Sequence, residues 1–370
     1  MIDGRPLIVA WMLALAACAP SRGDLYMRTF AEGARAQTAG RFVEAAARYE
    51  AASGEAKVPR DRDHARYLAA MMLARAGNLG EATARLDAIA AATPLTEDAA
   101  SAAYKAAEIR VLQDDAAGFR GLDAILRRFP NHGVARPALN RVLRHKDETE
   151  SKQASLDYLR ALATTVGETE LGEELAYQAA LRMAELGQTE TARAAFVAVA
   201  TRWPYPHGAL FDDALWRASE LDEKLGRFAD AVKDLERMLD EREIAHFSGS
   251  YERPRFGASM MRIAILYRDR LKDREKAREG FHRLYSDFTT SPLRDDALWR
   301  EAELWREEGD TGTACDRLAT LAKDFPDSRY VPCAAKLCPR VARAEKSTAP
   351  KTCHAYIERP RPESSGGGSE

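Results

Sequence analysis

Gly226-Arg227-Phe228-Ala229-Asp230-Ala231-Val232-Lys233-Asp234-Leu235-Glu236-Arg237-Met238 reads as the turn and second helix of a helical hairpin. Gly226 ends the first helix, because glycine takes the left-handed C′ conformation at little cost. Ala231 allows close helix approach, and Leu235 and Met238 continue the apolar face at helical spacing. The pattern recurs at Gly40…Ala45…Tyr49…Ala52, Gly77…Ala82…Leu86…Ile89, Gly187…Ala192…Phe196…Val199 and Gly309…Ala314…Leu318…Leu321. With Gly118, Ala154 and Ala277 as weaker copies, the eight small anchors are separated by 37, 36, 36, 38, 39, 46 and 37 residues. Such a period marks an array of stacked hairpins, each burying its apolar face only against its neighbours.

A common frame, with each anchor at position 20, exposes the rest of the grammar. Position 8 is Gly33, Ala70, Ala106, Val142, Ala180, Ser219, Ile265 and Ala302, small in six of eight repeats. Small residues at positions 8 and 20 let two antiparallel helices cross at short distance. Position 24 is always large and apolar: Tyr49, Leu86, Leu122, Tyr158, Phe196, Leu235, Phe281 and Leu318. Position 15 is Gly in five repeats, and Pro94, Pro130, Pro204 and Pro326 at position 32 end the second helix. Asn131, Asp327 and Ser328 are the expected N-caps of the helices that follow.

These repeats resemble tetratricopeptide repeats (TPRs). Arg128-Phe129-Pro130-Asn131-His132 and Asp324-Phe325-Pro326-Asp327-Ser328 resemble the turn of bacterial envelope TPR proteins. The resemblance implies an all-α fold, a right-handed superhelical solenoid of about eight hairpins closed by a C-terminal capping helix. It covers roughly residues 25–340, leaving a signal peptide over 1–17, a tether over 18–24 and a Cys-pinned, then disordered tail over 341–370.

Leu7 to Ala17 runs eleven residues without a charge. That is too short for a hydrocarbon core, which needs about 20 residues, but it suits a signal-peptide apolar region. Leu15-Ala16-Ala17-Cys18 resembles a bacterial lipobox, with Cys18 as the acylated residue. Ala19 after it resembles the outer-membrane sorting choice, which implies a lipid-anchored protein on the periplasmic face. A plain signal peptide cut before an incidental Cys18 is the alternative.

In TPR superhelices, positions 2, 5, 9 and 12 of the first helix line the concave face. Position 5 here is Phe30, Tyr67, Ala103, Leu139, Tyr177, Trp216, Arg262 and Trp299, five of them aromatic. Such rings form an adhesive wall for a peptide or partner helix, or else pack on a neighbouring repeat. After repeat six an insertion carries Tyr251, Arg253, Arg255 and Phe256, a further candidate contact. Residues 212–243 hold eleven acidic and six basic side chains, and 251–283 hold five and ten. This asymmetry either orients a partner or joins repeat six to repeat seven.

Besides Cys18 there are Cys315, Cys333, Cys338 and Cys353, an even number within 39 residues. In an exported protein this favours disulfides over a metal site. Cys315 at position 21 and Cys338 at position 7 of the next helix should meet, leaving Cys333 for Cys353. No hydrolase elbow, metalloprotease, phosphate-loop or dinucleotide motif occurs, and the seven histidines lack metal or triad spacing. The formal net charge of −2 gives no basic stripe for nucleic acid. The sequence therefore reads as a non-enzymatic adaptor without cofactor or small-molecule substrate. It binds protein or peptide partners, in keeping with its resemblance to the TPR components of outer-membrane barrel assembly and the Tol system. A peptidoglycan-associated factor is the alternative.

Overall fold

The computed structural model describes residues 23–113, 116–241 and 253–342. The Cys18 anchor, Tyr251, Cys353 and the expected tail lie outside them. Seventeen α-helices and no strand occur among the described residues. Sixteen helices form eight hairpins. The first four are α1 (Asp24–Thr38) with α2 (Phe42–Glu55), α3 (Pro59–Arg75) with α4 (Leu79–Ala90), α5 (Ala99–Leu112) with α6 (Ala117–Arg128), and α7 (Ala135–Thr149) with α8 (Lys152–Val166). The last four are α9 (Gly172–Glu185) with α10 (Thr189–Arg202), α11 (Phe211–Lys224) with α12 (Phe228–Asp240), α13 (Phe256–Leu266) with α14 (Arg274–Asp287), and α15 (Arg294–Glu307) with α16 (Thr311–Asp324). A short α17 (Val331–Leu337) follows. The chain divides into two compact units, Met1–Leu175 and Ala176–Glu370. Their boundary falls inside α9, where the repeat spacing announces nothing.

The hairpin turns follow from one backbone requirement. Gly40, Gly77, Gly187, Gly226 and Gly309 all have φ between 73° and 88°. The next amide reaches back to a carbonyl five residues earlier, as in Arg41 N to Ala36 O and Arg227 N to Asp222 O. These are Schellman closures, which satisfy the last carbonyls of the first helix. An added Cβ at these glycines would touch nothing within 4 Å, so conformation rather than space selects them. In hairpin seven the same place is held by Lys272, at φ 57°.

Close approach sets the anchors. At Gly118 an added Cβ would lie 2.6 Å from the Val111 amide nitrogen, so not even a methyl fits. Ala45, Ala82, Ala192, Ala231 and Ala277 are fully buried, and Tyr49, Leu86, Leu122, Phe196, Leu235, Phe281 and Leu318 fill the wedges beside them. In the first unit Ala36, Tyr49, Ala70, Leu86 and Ala106 share one core cluster. In the second, one cluster runs from Tyr177 through Phe196, Leu235 and Phe281 to Leu304.

Two registers differ from the sequence reading. In hairpin four Ser151 caps α8, accepting from Ala154 N at 3.1 Å. This shifts the buried pair to Ser155 and Leu159, while Ala154 and Tyr158 are only half-buried. In hairpin seven α13 runs into a π-helical turn at Tyr267–Leu271, closed by Asp273 N to Tyr267 O. The extra residue places Ala264, not Ile265, at the buried small position. The expected N-caps also serve otherwise. Asn131 Oδ1 accepts from Glu170 N at 2.9 Å, and Ser328 Oγ donates to Asp295 at 2.6 Å, each tying its linker to a neighbouring repeat. Side-chain caps fall instead on Ser151, Asp273 and Asp310.

The cap α17 covers the last hairpin. Tyr330, Cys333, Ala334, Cys338 and Val341 are buried with Leu298, Trp299, Leu318 and Leu321 in one cluster. A disulfide joins Cys315 to Cys338, with a sequence separation of 23. A loop of that length restricts the unfolded chain by about 3 kcal/mol in the chain-entropy model. Cys333 is buried in the same cluster, and Cys353, its expected partner, lies outside the described residues.

Candidate functional site

In the first unit the starts of α1, α3 and α5 enclose a cleft of about 580 Å³. Its walls are Tyr26, Met27 and Phe30 from α1, Arg60, Asp61 and His64 from α3, and Glu97 and Asp98 before α5. The spacing is helical: Tyr26 and Phe30, and Arg60 and His64, are four apart and share a face. Met27 and His64 both occupy position 2 of their repeats, and Phe30 occupies position 5. These are the positions expected to line an inner face.

The apolar floor is a run of rings. Tyr26 and Phe30 centroids lie 5.5 Å apart, Phe30 meets Tyr49 edge-on at 5.1 Å, and Phe30 and His64 stack at 6.4 Å. Tyr67 continues the run at 6.4 Å from His64. Met27, with 49% of its surface exposed, and Leu25, with 60%, leave apolar surface open beside it. The rim is charged. Arg60 pairs with Glu97 at 2.8 Å, and His64 Nδ1 meets Asp98 Oδ2 at 3.1 Å. That bond to Asp98 raises the His64 pKa above its ordinary value and outweighs partial burial. Asp98 stands at the N-cap of α5 but makes no capping bond there.

In the second unit the corresponding positions are closed by the chain itself. Position 2 carries Asp213 and Asp296. Arg255 pairs with Asp213 and lies 5.1 Å over the Trp216 ring, whose other neighbour is Arg262 at 4.7 Å. Arg329 meets Asp296 at 2.7 Å. Arg253 pairs with Asp212 at 3.2 Å and lies 4.0 Å over the Tyr205 ring, while Phe256 is core. Arg262 reaches Glu223 at 2.5 Å. The acidic and basic stretches therefore join hairpin six to hairpin seven.

The position-5 rings consequently part company. Tyr177, 8% exposed, packs edge-on against Phe196 at 5.4 Å, and Trp299, 3% exposed, stacks on Tyr330 at 4.9 Å. Both are taken up by packing and present no open face. Trp216 is half-buried beneath its two arginines. Of these rings only Phe30 lines the open cleft, with Tyr67 beyond His64, and the sequence reading missed that cleft's polar members Asp61, Glu97 and Asp98. Their signal was position: each sits at or just before the start of a first helix, and Asp98 meets the position-2 side chain His64. Among the described residues no cluster of His, Cys, Asp and Glu could hold a metal ion, and no helix is long and apolar enough to cross a membrane.

Residues 258–291 and 296–328, which make hairpins seven and eight, match the tetratricopeptide repeat family model. No curated protein sequence matches the chain. Among solved structures, the C-terminal part of a TPR repeat-containing protein from Cytophaga hutchinsonii is similar, at 12% identity and TM-score 0.43, covering 73% of this chain and 99% of that one. A tetratricopeptide repeat protein from Parabacteroides merdae is similar at 14% identity and TM-score 0.33, covering 75% and 98%. MamA from Desulfovibrio magneticus RS-1 is similar at 17% identity and TM-score 0.35, covering 54% and 99%.

Proposed function

We propose that this protein is a non-catalytic adaptor that holds protein partners on the inner-face side chains of its repeats. The observation that carries the reading is the first-unit cleft, where position 2 of two successive hairpins and the Phe30 ring meet at open surface. Hairpins with this grammar offer rigid, prearranged helix faces, which lowers the ordering cost of binding. We further propose that the adaptor is tethered by lipid on Cys18 to the periplasmic face of the outer membrane and serves envelope assembly. The lipobox-like Leu15-Ala16-Ala17-Cys18 supports that placement, and several acyl chains together hold a protein stably where one does so marginally. Cys18→Ser should leave the protein unprocessed or release it from membranes; a processed, membrane-bound mutant would refute the anchor. Cross-linking in the native envelope followed by mass spectrometry should yield defined protein adducts. Sedimentation with peptidoglycan sacculi in place of such adducts would replace the adaptor with a wall-binding factor.

A further inference from the structure

We infer that Asp222 and Asp234 hold one proton between them on Arg193, and that this proton is the catch that fastens hairpin six to hairpin five. The inference goes beyond the adaptor reading and needs no partner. Arg193 stands on α10, Asp222 on α11 and Asp234 on α12. Arg193 Nε donates to Asp222 Oδ2 at 2.9 Å, and its Nη2 donates to Asp234 Oδ2 at 3.1 Å. Asp222 is fully buried and Asp234 is 5% exposed, so two interior carboxyls share one cation. Were both ionised, one negative charge would be left over where an unpaired charge is costly. Asp222 Oδ1 is also buried without a hydrogen-bond partner, and the two carboxyls lie within hydrogen-bonding reach of each other. A single proton on Asp234, donated to Asp222, removes the surplus charge and satisfies the orphaned oxygen.

The neighbouring cations are engaged elsewhere. Arg237, on α12, donates to Ala200 O and Thr201 Oγ1 of α10, and Arg227, just before α12, pairs with Glu190. Asp230, one turn before Asp234, adds further negative charge. On the other side of α12, the next hairpin presents Ser259 to Met238 Sδ and Arg270 to the Phe228 ring. Burial accordingly raises both carboxyls, Asp234 to about 6, with Arg193 pulling against the rise, and the pair titrates as a unit. In the unfolded chain the same groups ionise near 3.8. The proton's contribution is thus complete below that value and lost as pH rises through about 6. Trp216, Glu220 and Glu223 of α11 hold Arg262 of hairpin seven, so releasing the catch loosens the seat of the hairpin that follows.

The test follows hydrogen exchange of the full chain by mass spectrometry from about pH 5 to 7.5, with the intrinsic pH dependence of exchange removed. Protection of α10, α11 and α12 should fall about tenfold over that range, the change one proton gives when its folded-state pKa is about 6. Helices α7 and α8 of the first unit should hold theirs. In Asp234→Asn the amide can donate to Asp222 at every pH, so the fall should vanish. The infrared difference between wild type and Asp234→Asn should contain the C=O band of one un-ionised carboxyl at about pH 5 and lose it by about pH 7.5. Protection of α10 to α12 that does not change with pH in wild type would overturn the inference, whether or not the variant folds. So would an equal fall in Asp234→Asn, or a difference spectrum without the carboxyl band at the acid end.

Discussion

Lys272 is the residue at which the turn grammar is broken and the backbone is not. It adopts φ 57°, where five other repeats use glycine, and its side chain is exposed. A left-handed L-residue costs about 1–2 kcal/mol, whereas glycine costs about 0.5–1 kcal/mol in unfolded-chain entropy. Lys272→Gly should therefore stabilise the second unit by about 0.5–1 kcal/mol in urea melts; destabilisation would mean the lysine makes a contact that matters. A second prediction concerns charge. Asp222, fully buried, and Asp234, 5% exposed, both bind Arg193, at 2.9 and 3.1 Å. Burial pushes Asp234 up to about 6, and the neighbouring Asp222 carboxylate adds to the rise. A carboxyl with a raised folded pKa binds its proton more tightly in the native state. Its contribution is thus fully present below the unfolded value near 3.8 and lost as pH rises through about 6. Asp234→Asn lacks this slope, so its stability relative to wild type should improve by about 1 kcal/mol from pH 5 to 7.5. Tryptophan fluorescence reports it, since Trp203, Trp216, Trp299 and Trp305 all lie in the second unit. A pH-independent difference would contradict the assignment.

At the scale of the hairpin, the small anchor is a statement about helix separation. Gly118→Ala places a methyl against the Val111 backbone, and overpacking of this kind costs about 1–3 kcal/mol. Gly54, exposed in α2 with nothing within 4 Å of an added Cβ, is the control. There alanine should stabilise by about 0.5–1 kcal/mol through helix propensity. Equal effects at the two sites would remove the close-approach argument. The hairpins, their turns and most anchors were legible in the sequence because each depends on local rules: a left-handed glycine, a stopping proline, one small and one large residue per turn. The two misread registers had separate causes. In hairpin four the cap at Ser151 sets the helix start and makes Ser155 rather than Ala154 the anchor, while counting back from Ala277 assumes a constant hairpin length that the π turn at Tyr267–Leu271 violates. The π turn leaves only a spacing of 46 as its trace, and the insertion shares that spacing.

For the molecule as a whole, neighbouring hairpins stabilise one another within each unit, and the functional surface is whatever that packing leaves open. The sequence supplied a row of position-5 rings but not which of them stay accessible. Exposure is decided by what packs over each ring: Phe196 of its own hairpin covers Tyr177, Tyr330 of the cap covers Trp299, and Arg255 and Arg262 of the following repeat cover Trp216. Hairpin one has Met27 where hairpins six and eight have Asp213 and Asp296, and its half-buried Phe30 lines the cleft. The central claim, that partners engage this cleft, is tested most directly by photocross-linking in the native envelope. A photoreactive residue is placed at Met27 in the cleft or at Val43, 65% exposed on α2 and outside it. The account predicts discrete protein adducts from position 27 and none from position 43; equal yields from both, or none from position 27, would contradict it.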